Sequence, residues 1–383
     1  MTLHTTPVAK GLEGVVIAQS DISDVNGNIG TLEYRGYPIQ ELALNALFEE
    51  VVYLLCYDRL PNHTELEAFD AKLKQYRTIP PDLISVMKGL PRSSAPMSVL
   101  RTTLSALGLF DQDADDNSPD SVLLKAHRLT ASMGTLVAAW ERIRNGQDPV
   151  APRSDLTLAG NFLYMLNDSE PEPSAVQAIN AYLVMLADHG MNTSTFSCRI
   201  TISTLSDIYS AITGAIGALK GAAHGGANEK AMRQFIEIGT PAKVTTWFES
   251  AMANSMRVMG IGHRVYKTGD PRMVIFKQQA EALGKVVGDG KWFEIATKLE
   301  DLAMSHPFFI ERKLHPNVDY YSAIVLYQSG VPVDQFTPLF AMSRVAGWCA
   351  HIMEQWKDNR LIRPDVQYVG KHNLRWIPLD ERS

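Results

Sequence analysis

The chain has 383 residues, of which 45% are hydrophobic and 20% charged, and its formal net charge at pH 7 is −6. This balance is typical of a globular protein with two domains, or with one large domain and an insertion. The negative charge, with no basic tail or stripe, argues against a nucleic-acid-binding protein. Its three cysteines lie among apolar or small residues, which predicts reduced, buried thiols and no disulfide framework.

No targeting or membrane-spanning segment is recognised in the sequence. The N-terminus lacks the apolar core of a signal peptide and the arginine-rich amphipathic pattern of a transit peptide. The longest apolar runs, such as residues 181–187, are too short to span a bilayer. We therefore expect a cytoplasmic protein.

Strands are predicted only near the start of the chain. Residues 14–18 and 30–34 have the composition of short strands. The sequence Asp-Val-Asn-Gly-Asn at 24–28 between them is a strong turn signal. We therefore expect one short N-terminal β-hairpin.

The rest of the chain is predicted to be helical, with about fifteen helices separated by proline and glycine. The predicted helices span residues 39–57, 64–77, 82–90, 98–110, 122–145, 156–166, 175–188, 193–202, 207–219, 228–238, 242–256, 271–287, 293–304, 320–327 and 336–356. By periodicity residues 193–202 fit either a helix or a strand, and the surrounding pattern favours the helix. Residues 306–316 and the tail from 360 are predicted to be irregular, with residues 366–369 and 374–378 as possible extended segments. The fold class is therefore all-α, and the lack of alternating βαβ units argues against a Rossmann-type nucleotide-binding fold.

Three histidines lie beside glycines at predicted helix breaks, namely His189, His224 and His263. Glycine lets a ligand or the backbone approach a ring closely. One such histidine is more often structural, but three together indicate a functional site. Zinc is disfavoured because the sequence has no HExxH or H-x-H pair and the histidines lie in separate segments.

The segment around His263, residues 259–272, is suited to an anionic ligand. Four cationic side chains lie in or just before it: Arg257, Arg264, Lys267 and Arg272. Asp270 and Pro271 are predicted to be the N-cap and first residue of the next helix. A helix N-terminus beside cations favours negative charge, although a basic surface loop is the simpler alternative.

Three further charged residues stand out downstream. Asp319 is predicted to be a helix N-cap, which holds the carboxylate rigidly and does not exclude a role as a base. Arg344 falls within an apolar helix, where a guanidinium needs an anionic partner. Arg363 follows at the exit of that helix. Because the sequence has neither a Gly-x-Ser-x-Gly elbow nor a Walker A loop, acid–base chemistry by histidine and aspartate beside arginines is the remaining interpretation.

Four segments resemble the active-site segments of the citrate synthase family. They are DHGMNTSTF at 188–196, LKGAAHGGANE at 219–229, GIGHRVYKTGDPR at 260–272 and HPNVDYYS at 315–322. The likeness extends over almost the whole chain. It implies an α-helical homodimer with a citrate synthase-like multi-helical fold, in which a small domain, residues 220–327, closes over substrate against a large domain, residues 1–219 and 328–383.

The resemblance also implies a reaction, in which acetyl-CoA condenses with oxaloacetate and water to give citrate and CoA through an enol. Asp319 would remove a methyl proton of acetyl-CoA, and His224 would hydrogen-bond the thioester oxygen. His263 would polarise and protonate the oxaloacetate carbonyl. The residues implied to bind oxaloacetate are His189, Arg272, Arg344 and, from the other subunit, Arg363. The residues implied to bind coenzyme A are Arg257, Val258, Met259, Gly260, Ile261, Arg264 and Lys267.

No metal and no separate cofactor are implied, because the coenzyme A thioester is itself a substrate. The alternatives left open are a 2-methylcitrate synthase that uses propionyl-CoA, an enzyme with both activities, and a non-catalytic helical scaffold. One methylene changes binding by only ~1–3 kcal/mol, so the two activities can coexist. Gly190 stands where many relatives, including many 2-methylcitrate synthases, have an acidic residue, and this favours the citrate reaction. The pair Ala222-Ala223 before His224 also departs from the usual family pattern.

Overall fold

The computed structural model describes residues 8–263 and 265–382. Its described part contains seventeen α-helices and one small sheet, which confirms the all-α fold class. The helices are α1 (Ile39–Asn45), α2 (Phe48–Tyr57), α3 (His63–Gln75), α4 (Pro81–Lys88), α5 (Pro96–Leu107), α6 (Pro119–Arg144), α7 (Leu158–Asn167), α8 (Pro173–Leu186), α9 (Thr193–Ser203), α10 (Ile208–Leu219), α11 (Ala227–Ile238), α12 (Val244–Ala253), α13 (Met273–Val286), α14 (Lys291–Ser305), α15 (Pro307–Glu311), α16 (Val318–Gln328) and α17 (Phe336–Lys357).

The sheet has three antiparallel strands, β1 (Ser23–Asn26), β2 (Thr31–Tyr34) and β3 (Tyr37–Pro38), in the order β1-β2-β3. The predicted strand at residues 14–18 is wrong, because no strand forms there. Val15, Val16 and Ile17 are exposed, so their β-propensity has no partner strand to stabilise it. The turn also lies later than predicted, because Asp24 pairs with Glu33 inside the sheet.

Several helix boundaries differ from the prediction for identifiable reasons. The single helix expected over residues 39–57 is two helices, because the Glu50 side chain accepts from the Leu47 backbone N–H and starts α2 anew. The segment 306–316 contains the short helix α15, in which the His306 side chain accepts from the Phe308 N–H. Residues 366–369 and 374–378 form no strand. The helix predicted at 193–202 is confirmed as α9.

The core is built on two long helices. In α6 and α17 most residues are buried, including Trp140 and Trp348. Helix α17 packs against α6, α8 and α9, while α16 packs against α11 and α13. The division into a small domain of 220–327 and a large domain of 1–219 and 328–383 stays a prediction. No helix in the described part of the chain is long and apolar enough to cross a membrane.

Candidate active site

The ends of several helices bring the predicted site residues together. His189 lies in the turn between α8 and α9, and His224 lies in the turn between α10 and α11. His263 lies in the connection between α12 and α13, and Asp319 in the first turn of α16. All four residues are partly rather than fully buried.

The rings of His189 and His263 lie edge to face. Their centroids are 5.6 Å apart, with the planes at 73°. Tyr266 completes the cluster, because its hydroxyl lies 3.1 Å from His189 Nε2 and its ring lies 4.7 Å from that of His263. Two segments that are distant in sequence therefore contribute to one aromatic cluster.

The backbone fixes the tautomer of His263. Its Nδ1 atom accepts from the N–H groups of Val265 and Tyr266, at 3.0 Å each. Burial, followed by the charge of Arg272, lowers the pKa of His263 to about 4. The neutral ring therefore carries its proton on Nε2, where it can donate to a ligand.

The turn of the sheet supports the same loop. The Lys267 N–H donates to the Gly27 carbonyl at 2.9 Å. A Cβ atom on Gly27 would lie 2.1 Å from the Val265 carbonyl oxygen, so only glycine permits this close approach. The turn between β1 and β2 therefore helps to hold the loop that carries His263.

The loop is also tied to the segment that carries Asp319. The Asn317 side chain donates to the Gly262 carbonyl at 2.7 Å, and its Oδ1 atom accepts from the Asp319 N–H at 2.9 Å. The prediction that Asp319 is the N-cap of its helix is wrong, because Asn317 occupies that position and Asp319 lies in the first turn. This arrangement leaves the carboxylate of Asp319 free of capping.

The Asp319 carboxylate has no hydrogen-bond or ion-pair partner among residues 8–263 and 265–382. Burial raises its pKa from 3.8 to about 6, because loss of hydration outweighs the opposing effects of Arg272 and Arg344. The group is thus mostly ionised at neutral pH, yet more basic than an ordinary aspartate. These are the properties of a general base.

His224 is held by residues of α9 and α17. Its Nε2 atom lies 2.9 Å from Ser194 Oγ, which also accepts from Trp348 Nε1 at 3.2 Å. The Ser194 hydroxyl lies 2.7 Å from Asn192 Oδ1, the cap of α9. Burial and then Arg344 lower the pKa of His224 to about 4. The Ser194 hydroxyl has one proton, so it donates either to Asn192 Oδ1 or to His224 Nε2, and only in the second case is the ring proton of His224 on Nδ1.

Arg272 is buried and already paired. Its Nε and Nη2 atoms donate to the two carboxylate oxygens of Asp270, at 2.9 and 2.8 Å. Asp270 also accepts from the backbone N–H groups of Arg272 and Val318. The prediction that Asp270 caps a helix starting at Pro271 is wrong, because α13 begins at Met273 and Asp270 is occupied by these contacts. The third nitrogen of the Arg272 guanidinium, Nη1, makes only a long contact, 3.4 Å to the Met185 carbonyl.

Arg344 has no carboxylate partner within ion-pair distance in the described part of the chain. Its Nε atom donates to the Leu186 carbonyl at 2.7 Å, and its guanidinium lies over the Phe340 ring. It contributes to lowering the pKa values of His189 and His224, for both of which burial is the larger cause. A buried guanidinium within reach of both histidines, without an anion of its own, is suited to bind one.

Asp188 supports the turn that carries His189. Its Oδ2 atom accepts from Ser23 Oγ at 2.5 Å and from the Gly190 N–H at 2.8 Å. His351 Nε2 lies 3.2 Å from Oδ1, although the pair is not aligned as a hydrogen bond. Although burial alone would raise the pKa of Asp188, His351, Arg344 and Ser23 together hold it below its usual range.

The remaining predicted residues that the structure describes differ in burial, and none of them forms part of the cluster of rings described above. Arg257 and Lys267 are exposed, whereas Val258, Gly260 and Ile261 are buried and Met259 is partly buried. Arg264 lies outside the described residues. The Arg363 side chain is exposed, and its nearest carboxylate, that of Asp365, is 3.6 Å away. Within one chain, therefore, Arg363 does not join the site.

The family model "Citrate synthase, C-terminal domain" matches residues 11–365. The chain belongs to the citrate synthase family. Citrate synthase 2 of Bacillus subtilis is 46% identical over 98% of this chain and 99% of that protein. The 2-methylcitrate synthase of Mycobacterium tuberculosis is 42% identical, over 97% of this chain and 92% of that protein.

Solved citrate synthase structures share the fold. One is the ternary complex of the Thermoplasma acidophilum enzyme with carboxymethyl coenzyme A and oxaloacetate. It superposes with a TM-score of 0.92 at 36% identity, and covers 99% of this chain and 100% of that one. Members of the citrate synthase family are acyltransferases, and this chain matches them along nearly its entire length.

Several residues that contact the candidate site residues were not predicted from the sequence to do so. Ser194, Tyr266 and Asp270 lie inside the recognised motifs, but nothing in their spacing shows what they contact. Asp188 precedes His189 directly, which is a usable signal. Trp348 comes from α17, and only the fold brings it to Ser194.

Proposed function

We propose that the protein is a citrate synthase that condenses acetyl-CoA with oxaloacetate and water to form citrate and CoA. The carrying observation is an unpaired, partly buried carboxylate, Asp319, placed with neutral His224 and His263 and with two buried arginines. Family membership supports the same reaction. This set supplies a base, two neutral hydrogen-bond donors and positive charge for an anionic substrate.

Asp319 is proposed to remove a methyl proton from acetyl-CoA. Its pKa of about 6 makes it ionised at neutral pH and a stronger base than a hydrated aspartate. The absence of hydrogen bonds to its carboxylate from the described residues leaves its lone pairs available. A positioned base typically contributes ~100–10,000-fold to the rate.

His224 is proposed to stabilise the enol oxygen that forms as the proton leaves. In the substrate complex the Ser194 hydroxyl is proposed to turn from Asn192 Oδ1 and to donate to Nε2, so that the ring presents an Nδ1–H group to the thioester oxygen. One donor aimed at a developing oxyanion is commonly worth ~100–1,000-fold in kcat. A neutral ring suits this task, and the lowered pKa of His224 keeps it neutral at pH 7.

His263 is proposed to polarise the oxaloacetate carbonyl and to protonate it when the new C–C bond forms. The two backbone N–H groups on Nδ1 leave the Nε2 proton directed away from the loop. The enol carbon attacks the carbonyl carbon, and the carbonyl oxygen takes the Nε2 proton. Solvent exchange then returns a proton to Nε2 and removes the one that Asp319 gained. Water then hydrolyses the thioester and releases CoA.

Oxaloacetate is proposed to bind between His189, Arg272 and Arg344. Arg344 offers positive charge that no carboxylate of the described residues neutralises, so we assign it the larger share of carboxylate binding. Arg272 retains one free edge, because Asp270 occupies the other. Fixing both carboxylates of the substrate would hold the carbonyl in a productive geometry.

Coenzyme A is proposed to bind along residues 257–261, with Lys267 and Arg264 nearby. Gly260 adopts φ 79° and lies against Tyr320, where a Cβ atom would approach within 2.8 Å. The glycine therefore brings this loop onto α16, close to the residue proposed as the base. The exposed cationic side chains of Arg257 and Lys267 are suited to bind the phosphate groups of coenzyme A.

A homodimer with Arg363 contributed across the interface is also proposed. Arg363 is exposed within one chain, and the tail around it exposes several large apolar side chains that a second copy could cover. These are Leu361, Val366, Tyr368, Val369, Leu374, Trp376, Ile377 and Leu379. A cytoplasmic location is proposed from the three free cysteines.

The function is tested by measuring thiol release when the protein is mixed with oxaloacetate and acetyl-CoA. We expect rapid release that depends on both substrates. No release, with substrates shown to be intact, would leave the non-catalytic scaffold as the better interpretation.

The second candidate, a 2-methylcitrate synthase, is favoured by the 42% identity to the Mycobacterium tuberculosis enzyme of that name. The same assay with propionyl-CoA separates the two. We expect kcat/KM to be higher for acetyl-CoA. A strong preference for propionyl-CoA would contradict the citrate assignment.

The role of Arg363 is tested by mixing subunits. We expect Arg363→Ala to weaken oxaloacetate binding. In a hybrid dimer with Asp319→Asn, one of the two sites would have both native residues. Dissociating and reassociating a mixture of the two variants should therefore restore activity that neither has alone, and no restoration would place Arg363 outside the partner's site.

A further inference from the structure

Tyr266 contacts both histidines that are proposed to hold and activate oxaloacetate. Its hydroxyl lies 3.1 Å from His189 Nε2. Its ring stacks on His263 with centroids 4.7 Å apart and planes tilted by 33°. Its backbone N–H donates to His263 Nδ1. One side chain therefore links two rings that come from different segments of the fold.

The Tyr266 hydroxyl depends on His189 for its hydrogen bond. The side chain is only 3% exposed, and buried tyrosine hydroxyls usually form a hydrogen bond. Among the described residues, His189 is its only hydrogen-bond partner. His189 is held neutral by burial and by the nearby arginines, so its ring has no charge to orient it. The hydrogen bond between the Tyr266 hydroxyl and Nε2 is therefore one between neutral groups, and it restricts the rotation of the ring.

We propose that Tyr266 is a positioning residue for the condensation, with its hydroxyl orienting His189 and its ring supporting His263. This inference rests on the proposed function, because it assigns Tyr266 to the oxaloacetate side of the same site. The two contacts use different parts of the side chain. Tyr266→Phe removes the hydroxyl alone, and Tyr266→Leu also removes the aromatic face.

These two substitutions separate the contributions. Both leave the backbone N–H on His263 Nδ1, so the tautomer of His263 is preserved. The phenylalanine variant leaves His189 Nε2 without its partner, which we expect to weaken oxaloacetate binding about 5- to 30-fold. The leucine variant should in addition lower kcat, because His263 loses the ring that packs against it.

The experiment measures kcat, the KM of each substrate, and oxaloacetate binding by calorimetry on the full-length protein. For Tyr266→Phe we expect a higher KM and Kd for oxaloacetate, with the KM of acetyl-CoA and the melting temperature little changed. A general loss of folding would affect the kinetics with both substrates alike. A change in the KM of oxaloacetate without a change in the KM of acetyl-CoA therefore identifies a positioning role. The matched control is Tyr209→Phe. Tyr209 lies away from the site, and its buried side chain donates a hydrogen bond of 2.7 Å to Asp111.

Three results would overturn the inference. Unchanged oxaloacetate binding in Tyr266→Phe would remove the role of the hydroxyl. Tighter binding would show that the hydroxyl competes with oxaloacetate for His189. Equal kcat values in Tyr266→Phe and Tyr266→Leu would remove the role of the ring. Failure of the proposed function is distinguishable, because in that case the wild-type protein itself would release no thiol.

Discussion

Asp319 and Asp270 are two carboxylates near the same arginines, but their surroundings are opposite. Asp270 is fully buried, and both of its oxygens bond to Arg272. Arg272 holds its pKa below the usual range even though burial alone would raise it. Asp319 receives no hydrogen bond on its carboxylate from the described residues, and burial raises its pKa to about 6.

The comparison teaches that a partner, rather than burial, decides what a carboxylate in this site can do. A paired carboxylate is charged, rigid and chemically quiet, whereas an unpaired one is destabilised as an anion and therefore basic. Asp188 follows Asp270, since it too is buried with partners and has a lowered pKa. The paired aspartates hold the loops, and the unpaired one is available for chemistry.

The largest effect is expected for Asp319→Asn. Loss of the base should lower kcat by ~100–10,000-fold, while oxaloacetate binding is retained because the arginines and histidines remain. The folded state should not lose stability, since no partner is left unpaired. Steady-state thiol release, calorimetry with oxaloacetate and thermal unfolding check the three parts.

Normal turnover in Asp319→Asn would show that another group is the base. A large fall in melting temperature would instead show that Asp319 has a structural partner. Either result would contradict the comparison, in which Asp319 acts in the chemistry and Asp270 in the structure.

Asp270→Asn should have the reverse profile, with stability affected first. Removing one partner of a buried ion pair leaves Arg272 uncompensated, which typically destabilises by ~3–5 kcal/mol. Urea unfolding measures this change. The matched control is Asp155→Asn, which breaks the exposed pair with Arg153 and should change stability by no more than ~1 kcal/mol. Equal effects of the two substitutions would contradict the structural role of Asp270.

The fold was largely predictable from the sequence because apolar periodicity and proline positions mark helices directly. Most predicted helices are present, and their boundaries shift by a few residues. The strand predicted at residues 14–18 is wrong because a strand needs a partner strand, which local composition does not reveal. The break between α1 and α2 was missed because the cap at Glu50 lies inside a continuous apolar pattern.

The sequence motifs named the candidate site residues one by one, but they did not show the contacts among them. Asp319 was recognised, yet the sequence did not show that Asn317 takes the capping position and leaves it free. Arg272 and Asp270 are two residues apart, and only the folded structure shows that they neutralise each other. Tyr266 lies in a recognised motif, but its contact with His189 spans 77 residues of sequence.

The smallest effect concerns pH. On the acid side, kcat/KM should rise as Asp319 ionises, through a pKa near 6.

Because the folded pKa of Asp319 is raised above its unfolded value of 3.8, its protonated form stabilises the fold below about pH 4, and this stabilisation is lost as pH rises through about 6. Asp270 has the opposite sign, since a lowered pKa adds stability above its unfolded value that is lost as pH falls. Asp319→Asn should therefore gain stability relative to wild type between pH 4 and 7, which urea unfolding at several pH values can measure. A stability difference independent of pH would show that the carboxyl of Asp319 titrates alike in the folded and unfolded chain, and its proposed basicity would then lack a cause.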